Sequence, residues 1–196
     1  MKLSEYLNWL DSNQFDYYRD TVEYADVSQE GFEHKGNVRL PSLDFIKKIT
    51  TQPRADGKDL ENVYTYGRHP LLDTWADKTF PELRYKQTYV QLQKPGDKVD
   101  PHIDTLHGQI KSWVQHEPHL ADMEHSMKDP NPKLKARRYF IGVEDQVDGQ
   151  NFTINDVQWK WKQGDVISLN VWRGEHHTKN NSNRDRYIIK DTGLES

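Results

Sequence analysis

The sequence predicts a mainly β fold, two packed sheets in a sandwich or barrel, preceded by a layer of helices. Three observations lead there. From residue 85 onward, short runs rich in Val, Ile, Tyr, Phe and Trp recur at roughly 8–12-residue spacing. Gly and Asn punctuate those runs. Before residue 85, apolar residues recur instead at helical spacing.

In chain order, Leu3, Tyr6, Leu7 and Leu10 mark a first helix, with Ser4 as a candidate cap. Leu43, Phe45, Ile46 and Ile49 mark a second, begun by Pro41-Ser42. Residues 50–59 form a turn-rich loop broken by Pro53 and Gly57, and 70–80 form another short helix. KQTYVQLQ (86–93) alternates as a strand does and stops at Lys94-Pro95-Gly96. RRYFIGVE (137–144), FTIND (152–156), VQWKW (157–161), DVISLNVW (165–172) and DRYIIKDT (185–192) are further strands. The expected organisation is a single domain over 1–196, with a helical layer at 1–84 and a β core at 85–193. Residues 105–135 break the strand rhythm with a polar, His-rich, Pro-interrupted insert. A connection this long inside a β domain is usually functional or mobile.

Lys and Arg total 27 against 31 Asp and Glu, a formal charge of −4. Such a chain lacks the basic footprint of a general nucleic-acid binder. Six Trp, ten Tyr and six Phe can build a core from few large side chains, which argues against disorder over the whole chain. No apolar run approaches the ~20 residues of a membrane helix, and the N-terminus has no signal-peptide character. A cytoplasmic location without a membrane span is expected. Cysteine is absent, which excludes disulfides, thiolate metal sites and Cys nucleophiles. Any metal must therefore be held by His and carboxylates. Neither a Gly-x-Ser-x-Gly elbow nor a Gly-Lys-Ser/Thr phosphate loop is present.

The chemistry concentrates in PHIDT, 101–105. On a strand, His102 and Asp104 point to one face and can reach one point. An imidazole and a carboxylate converging there make two-thirds of the 2-His-1-carboxylate triad, which holds Fe(II) and leaves an open face. A second His from GEHHTKNNSNRDRYIIKDTG (174–193) would complete it. Either His176 or His177 could serve, but adjacent strand residues face opposite ways, so only one can. Arg186 opens the apolar strand that follows, and its planar, always-charged fork suits a carboxylate.

His-x-Asp, a long gap, a distal His and then an Arg nine or ten residues on resembles the Fe(II)/2-oxoglutarate-dependent dioxygenases. The resemblance covers roughly residues 85–193. VQLQKPGDKVDPHID (90–104) looks like that family's strand, Pro-Gly turn and His-x-Asp strand. Lys162-Gln163-Gly164-Asp165 resembles its characteristic turn, and HHTKNNSNRDRY its distal pattern of His, three residues, Asn, five residues, Arg. The nearest branches are the aspartyl/asparaginyl hydroxylase-like enzymes and small stand-alone oxygenases of bacteria and their phages. Prolyl-hydroxylase-like enzymes are a looser match.

The resemblance implies a double-stranded β-helix, or jelly roll. It implies Fe(II) on His102, Asp104 and His176, with 2-oxoglutarate on the iron and clamped by Arg186. The aspartyl/asparaginyl-like spacing points to His176, and the prolyl-hydroxylase-like spacing to His177. Gln91, which shares a strand face with Gln93, is the expected polar contact to the co-substrate, with a solvated face as the alternative. O2 is the second co-substrate. The expected reaction is hydroxylation of a C–H bond in an amino-acid, peptide, protein or small-molecule substrate, with succinate and CO2 as co-products. A phage-encoded member would act in the host cytoplasm. The runner-up is a non-catalytic metal-binding jelly roll, cupin-like. Nucleic-acid demethylation shares the metal site, but the charge weighs against it.

Other features receive plainer readings. Lys190, four after Arg186, could assist the carboxylate, but an exposed position is expected. His107, His116, His119 and His125 share no ligand spacing and read as solvated loop residues, with substrate contact as the alternative. Trp159, Trp161 and Trp172 read as core, and Asp185 as a turn residue. The 105–135 insert is read as too polar for core and as a substrate lid, helical around 106–116. Trp113, Leu120 and Met123 would fold over a guest.

Overall fold

The computed structural model describes residues 1–12, 32–50, 65–102, 104, 106–124, 134–169 and 175–196. Among them are helices α1 (Leu3–Ser12), α2 (Leu43–Thr50), α3 (Pro70–Thr79) and α4 (His107–His116). The strands are β1 (Glu33–Asn37), β2 (Thr65–Gly67), β3 (Leu83–Gln93), β4 (Lys98–His102) and β5 (Ala136–Gly142), followed by β6 (Gln150–Ile154), β7 (Val157–Gln158), β8 (Asp165–Leu169), β9 (His176–Asn180) and β10 (Arg186–Glu195).

The strands form two antiparallel sheets, in the orders β1-β8-β5-β10-β3-β2 and β4-β9-β6-β7. From β3 onward the chain alternates between them: β3 in the large sheet, β4 in the small, β5 large, β6 and β7 small, β8 large, β9 small, β10 large. That winding is a double-stranded β-helix, so the fold is the jelly roll expected.

Alternation within each strand then decides which residues face inward. Phe140, Ile167, Leu169 and Ile188 of the large sheet meet Phe152 and Ile154 of the small one, together with Trp159 and Trp161. The opposite face of the large sheet, with Val90, Leu92, Tyr139, Ile141, Val166 and Ile189, packs against Ile46, Ile49 and Leu72 of α2 and α3.

Local chemistry explains the ends of the elements. The Ser42 hydroxyl accepts from the Phe45 amide at 3.3 Å, capping α2 as expected. Ser4 is not a cap, because α1 already begins at Leu3. The β6–β7 hairpin turns through Asn155 and Asp156, both at positive φ, the geometry a two-residue hairpin requires. Trp159 and Trp161 leave the strand pattern after Gln158 and enter the core, 0 % and 4 % exposed. Strands β1 and β2 have no counterpart in the sequence reading. Both lie on sheet edges, and β1 is exposed throughout, so neither carries a strong alternating pattern. Trp172 and His125 lie outside the described residues.

The insert needs a correction. Its helix is present as α4, but the insert is not too polar for core. Leu106, Ile110, Trp113 and Leu120 are buried in one cluster with Leu3, Tyr6, Leu7 and Leu10 of α1, and Met123 packs against it. The Trp113 indole N–H also donates to the Tyr85 carbonyl at 3.1 Å. Trp113 and Leu120 are therefore structural anchors, and the described part of the insert is fixed to the domain.

Candidate metal centre

His102 ends β4, and its Cα is paired in register with His176, the first residue of β9. Cross-strand pairing sets the two imidazoles side by side, ring centroids 4.4 Å apart. Asp104 lies beyond the end of β4, so its convergence with His102 does not come from strand alternation as expected. The chain leaves the strand, and the carboxylate comes to lie against both rings. Asp104 Oδ1 is 3.7 Å from His102 Nε2, and Oδ2 is 3.4 Å from His176 Nε2. One donor atom from each of the three residues lies within 4.8 Å of the others. His176 is 2 % exposed and faces inward, whereas His177 takes the opposite face of β9 and is only partly buried.

Second contacts orient this set. His102 Nδ1 is 2.9 Å from the Asp100 carbonyl oxygen. A carbonyl only accepts, so Nδ1 carries a proton there and Nε2 is the nitrogen turned to the site. The Arg138 guanidinium, on the inner face of β5 and 2 % exposed, donates to Asp104 Oδ2 and, through Nε, to Thr192 Oγ1 at 2.8 Å. Burial opposes the charge on Asp104, but Arg138, then His176, Lys190 and His102, outweigh it. They hold the carboxyl well below the usual carboxylate range. Leu106, two residues on, sits at φ +55 and is 1 % exposed in the α1–α4 cluster. The helices thus anchor the segment that carries Asp104.

Away from the triad, Arg186 is 2 % exposed, and its Nη1 donates to the Asn151 carbonyl at 2.9 Å. Its guanidinium lies 5.9 Å from the Phe152 ring centroid, and that ring is stacked 6.1 Å from His176. The Phe152 ring therefore lies within contact range of both the guanidinium and a triad imidazole. Gln93 is register-paired with Arg186, and Gln91 with Ile188. Both are buried rather than on a solvated face, and each leaves its Oε1 without a hydrogen-bond partner among the described residues. Gln93 Nε2 donates to Thr178 Oγ1 at 2.7 Å. Asn180, the Asn of the distal pattern, donates to the Gln93 and Arg184 carbonyls at 3.0 and 2.8 Å, so it shapes the turn that delivers Arg186.

The remaining candidates fall as follows. Lys190 is not exposed as expected but 5 % exposed, on the inner face of β10 with Arg186. It belongs to the interior because it shares phase with Ile188. His107 bonds Asp11 at 2.9 Å, His116 stacks on Tyr85, and His119 is exposed near Glu117. None approaches the triad set. Asp185 accepts from the Tyr187 hydroxyl at 3.4 Å, as a turn residue can.

Arg138 is the residue the sequence reading missed. The signal was present: in ARRYFIG, Arg138 shares phase with the inward Phe140. A charged residue on the buried phase of a central strand is a pointer to a site.

No family model matches this chain, and no curated protein matches it in sequence. Among solved structures, a Pseudomonas putida prolyl-4-hydroxylase aligns at 12 % identity over 88 % of this chain and 97 % of its own, TM-score 0.47. The viral collagen prolyl hydroxylase of Paramecium Bursaria Chlorella virus-1, described as a 2OG complex, aligns at 10 % identity over 68 % and 80 %, TM-score 0.41. A Cupin 2 conserved barrel domain protein from Salinispora arenicola aligns at 10 % over 72 % and 86 %, TM-score 0.38. Likenesses this distant say nothing of activity or ligand, and the architecture stands on the strand order of this chain.

Proposed function

We propose that this protein is an Fe(II)- and 2-oxoglutarate-dependent dioxygenase that hydroxylates a C–H bond. The observation that carries the reading is the His102–Asp104–His176 set, with a buried guanidinium on the same interior beyond it. Two imidazoles and one carboxylate suit a divalent transition metal; Ca2+ and Mg2+ favour all-oxygen sets. The His102 Nδ1–H contact and the ionised Asp104 prepare the donors before any metal arrives.

The interior also suits a dicarboxylate. Arg186 offers a charged fork, and the Gln91 side-chain amide, buried on the same inner face, would have to meet the dicarboxylate through its Nε2 donor. Phe152 and Phe140 wall the space apolar on the small-sheet and large-sheet sides, which excludes water and strengthens the charge contacts. When bound, iron with 2-oxoglutarate and O2 supplies the oxidising chemistry. This chain holds the donors, orients the dicarboxylate through Arg186 and Gln91, and fixes Asp104 through Arg138. The substrate, and a cytoplasmic setting without nucleic-acid or membrane partners, remain part of the proposal.

The test is succinate formation from 2-oxoglutarate with Fe(II) and O2, measured on the wild type and on Asp104→Ala, with metal content determined in parallel. The wild type is expected to load one Fe(II) and form succinate, and the variant to do neither. Iron retained by Asp104→Ala would refute the ligand set. Iron loaded by the wild type without succinate would make it a non-catalytic metal-binding jelly roll.

A further inference from the structure

The two oxygens of Asp104 are held differently. Arg138 Nη1 donates to Oδ2, and among the described residues that is the one hydrogen bond the carboxylate accepts. Oδ1 accepts none and stands 3.7 Å from His102 Nε2. The guanidinium thus meets one oxygen and leaves the other, and its Nε is spent on Thr192 Oγ1 at 2.8 Å.

Arg138 is itself fixed. It lies on β5, register-paired with Leu169 of β8 on one side and with Thr192 of β10 on the other. Arg138 and Thr192 are 2 % and 0 % exposed. Asp104 lies beyond the end of β4 and has no strand pairing to hold it. A residue of the central sheet therefore sets the rotation of a carboxylate that its own backbone leaves outside the sheet.

A carboxylate can take a metal through one oxygen or through both. The guanidinium fills one lone-pair direction of Oδ2 and draws on its charge, which disfavours chelation through both. Oδ2 is 3.4 Å from His176 Nε2, but it is the oxygen already engaged, so Oδ1 is the donor left for the ion. With His102 and His176, the protein then supplies one atom from each of its ligands. An octahedral ion on three such donors keeps half of its positions for other ligands, and a fourth protein oxygen would leave it only a third. Whether room remains on the ion beside a chelating co-substrate turns on this one oxygen.

We propose that Arg138 is a positioning residue that makes Asp104 a one-oxygen ligand and so keeps half of the metal's positions open. The inference rests on the dioxygenase reading for the identity of the ligands.

The experiment uses protein loaded with Mn(II) alone. Waters on the ion are counted from the broadening of its EPR lines by water carrying the magnetic oxygen isotope. The wild type is expected to hold one more water than Arg138→Met, in which Asp104 is free to close on the ion with both oxygens. Arg138→Lys keeps a cationic donor and is expected to move the count back toward the wild type. A residue that only stabilised the fold would lower Tm and leave the count alone. Equal counts in wild type and Arg138→Met, each holding one Mn(II), would overturn the proposal.

If Arg138→Met fails to fold or to hold Mn(II), the infrared difference spectrum of the wild type on Mn(II) binding decides. The Asp104 carboxylate stretches are assigned by their absence from Asp104→Ala. A wide separation between them marks binding through one oxygen and supports the proposal; a narrow separation marks binding through both and refutes it. Failure of the dioxygenase reading looks different: the wild type would load Fe(II) and form no succinate, while the one-water difference on Mn(II) stood.

Discussion

Asp191→Asn is expected to stabilise the protein, and only above acid pH. Asp191 lies between Lys190 and Thr192 on β10 but faces the helical side of the large sheet, 0 % exposed. The Thr88 hydroxyl donates to its Oδ1 at 2.9 Å, and its Oδ2 has no partner among the described residues. The nearby cation, Lys86, is engaged by Asp77 at 3.1 Å and by the Phe80 and Leu83 carbonyls. Burial, with help from Asp77 and Asp73, raises the Asp191 carboxyl from 3.8 to about 7, against the Thr88 bond and Lys86.

A carboxyl raised in the folded state holds its proton there while the unfolded chain has already released it. Its penalty is therefore absent below pH 4, grows as pH rises through that interval, and is complete above pH 7. The displacement corresponds to about 4 kcal/mol at the limit. Structural relaxation around an unpaired buried charge reduces the realised penalty, so about 1–3 kcal/mol is expected from the substitution. For a chain of this size that is a rise in Tm of roughly 3–9 °C at pH 8. Asn keeps the acceptor for Thr88 and removes the charge. The assay is thermal unfolding by circular dichroism at pH 4 and pH 8, on both proteins. A gain at pH 8 that vanishes at pH 4 is the expected result. An equal Tm difference at both values, or no gain at pH 8, would refute the argument that a buried charge costs stability here.

Three further outcomes are expected. Mn(II) at about a hundredfold over its Kd should raise the wild-type Tm by roughly 5–10 °C, an effect His102→Ala, Asp104→Ala and His176→Ala each abolish and His177→Ala leaves largely intact; the reverse order of the two histidines would move the ligand to His177. Gly164→Ala should cost about 1–3 kcal/mol in urea unfolding, because Gly164 sits at φ +83 and an added Cβ would lie 2.5 Å from the Val38 carbonyl oxygen. Trp113→Ala should cost about 3–5 kcal/mol while sparing Mn(II) affinity in the cold, the behaviour of a core residue and not of a lid; an unchanged Tm with lost substrate binding would restore the lid.

The sequence alone was enough for the class of fold and for the candidate donors. Alternation in KQTYVQLQ, RRYFIGVE and DRYIIKDT fixes strand and inward phase together, because a period of two allows one buried face. His102 and Asp104 were legible as a candidate pair because His-x-Asp on a strand shares a face, but the residues left His176 and His177 both open, and the resemblance alone favoured His176. The tertiary structure decided the rest, since it depends on contacts between segments far apart in sequence. It turned the described part of the insert from flap to anchor, because Leu106, Ile110 and Trp113 find the apolar face of α1, about a hundred residues upstream. It brought Asp104 to the histidines from beyond the end of β4, and gave it Arg138 from β5. And it buried Lys190, because β10 lies between β3 and β5 with a second sheet packed over its inner face, and a central strand has no solvated side on which to leave a cation.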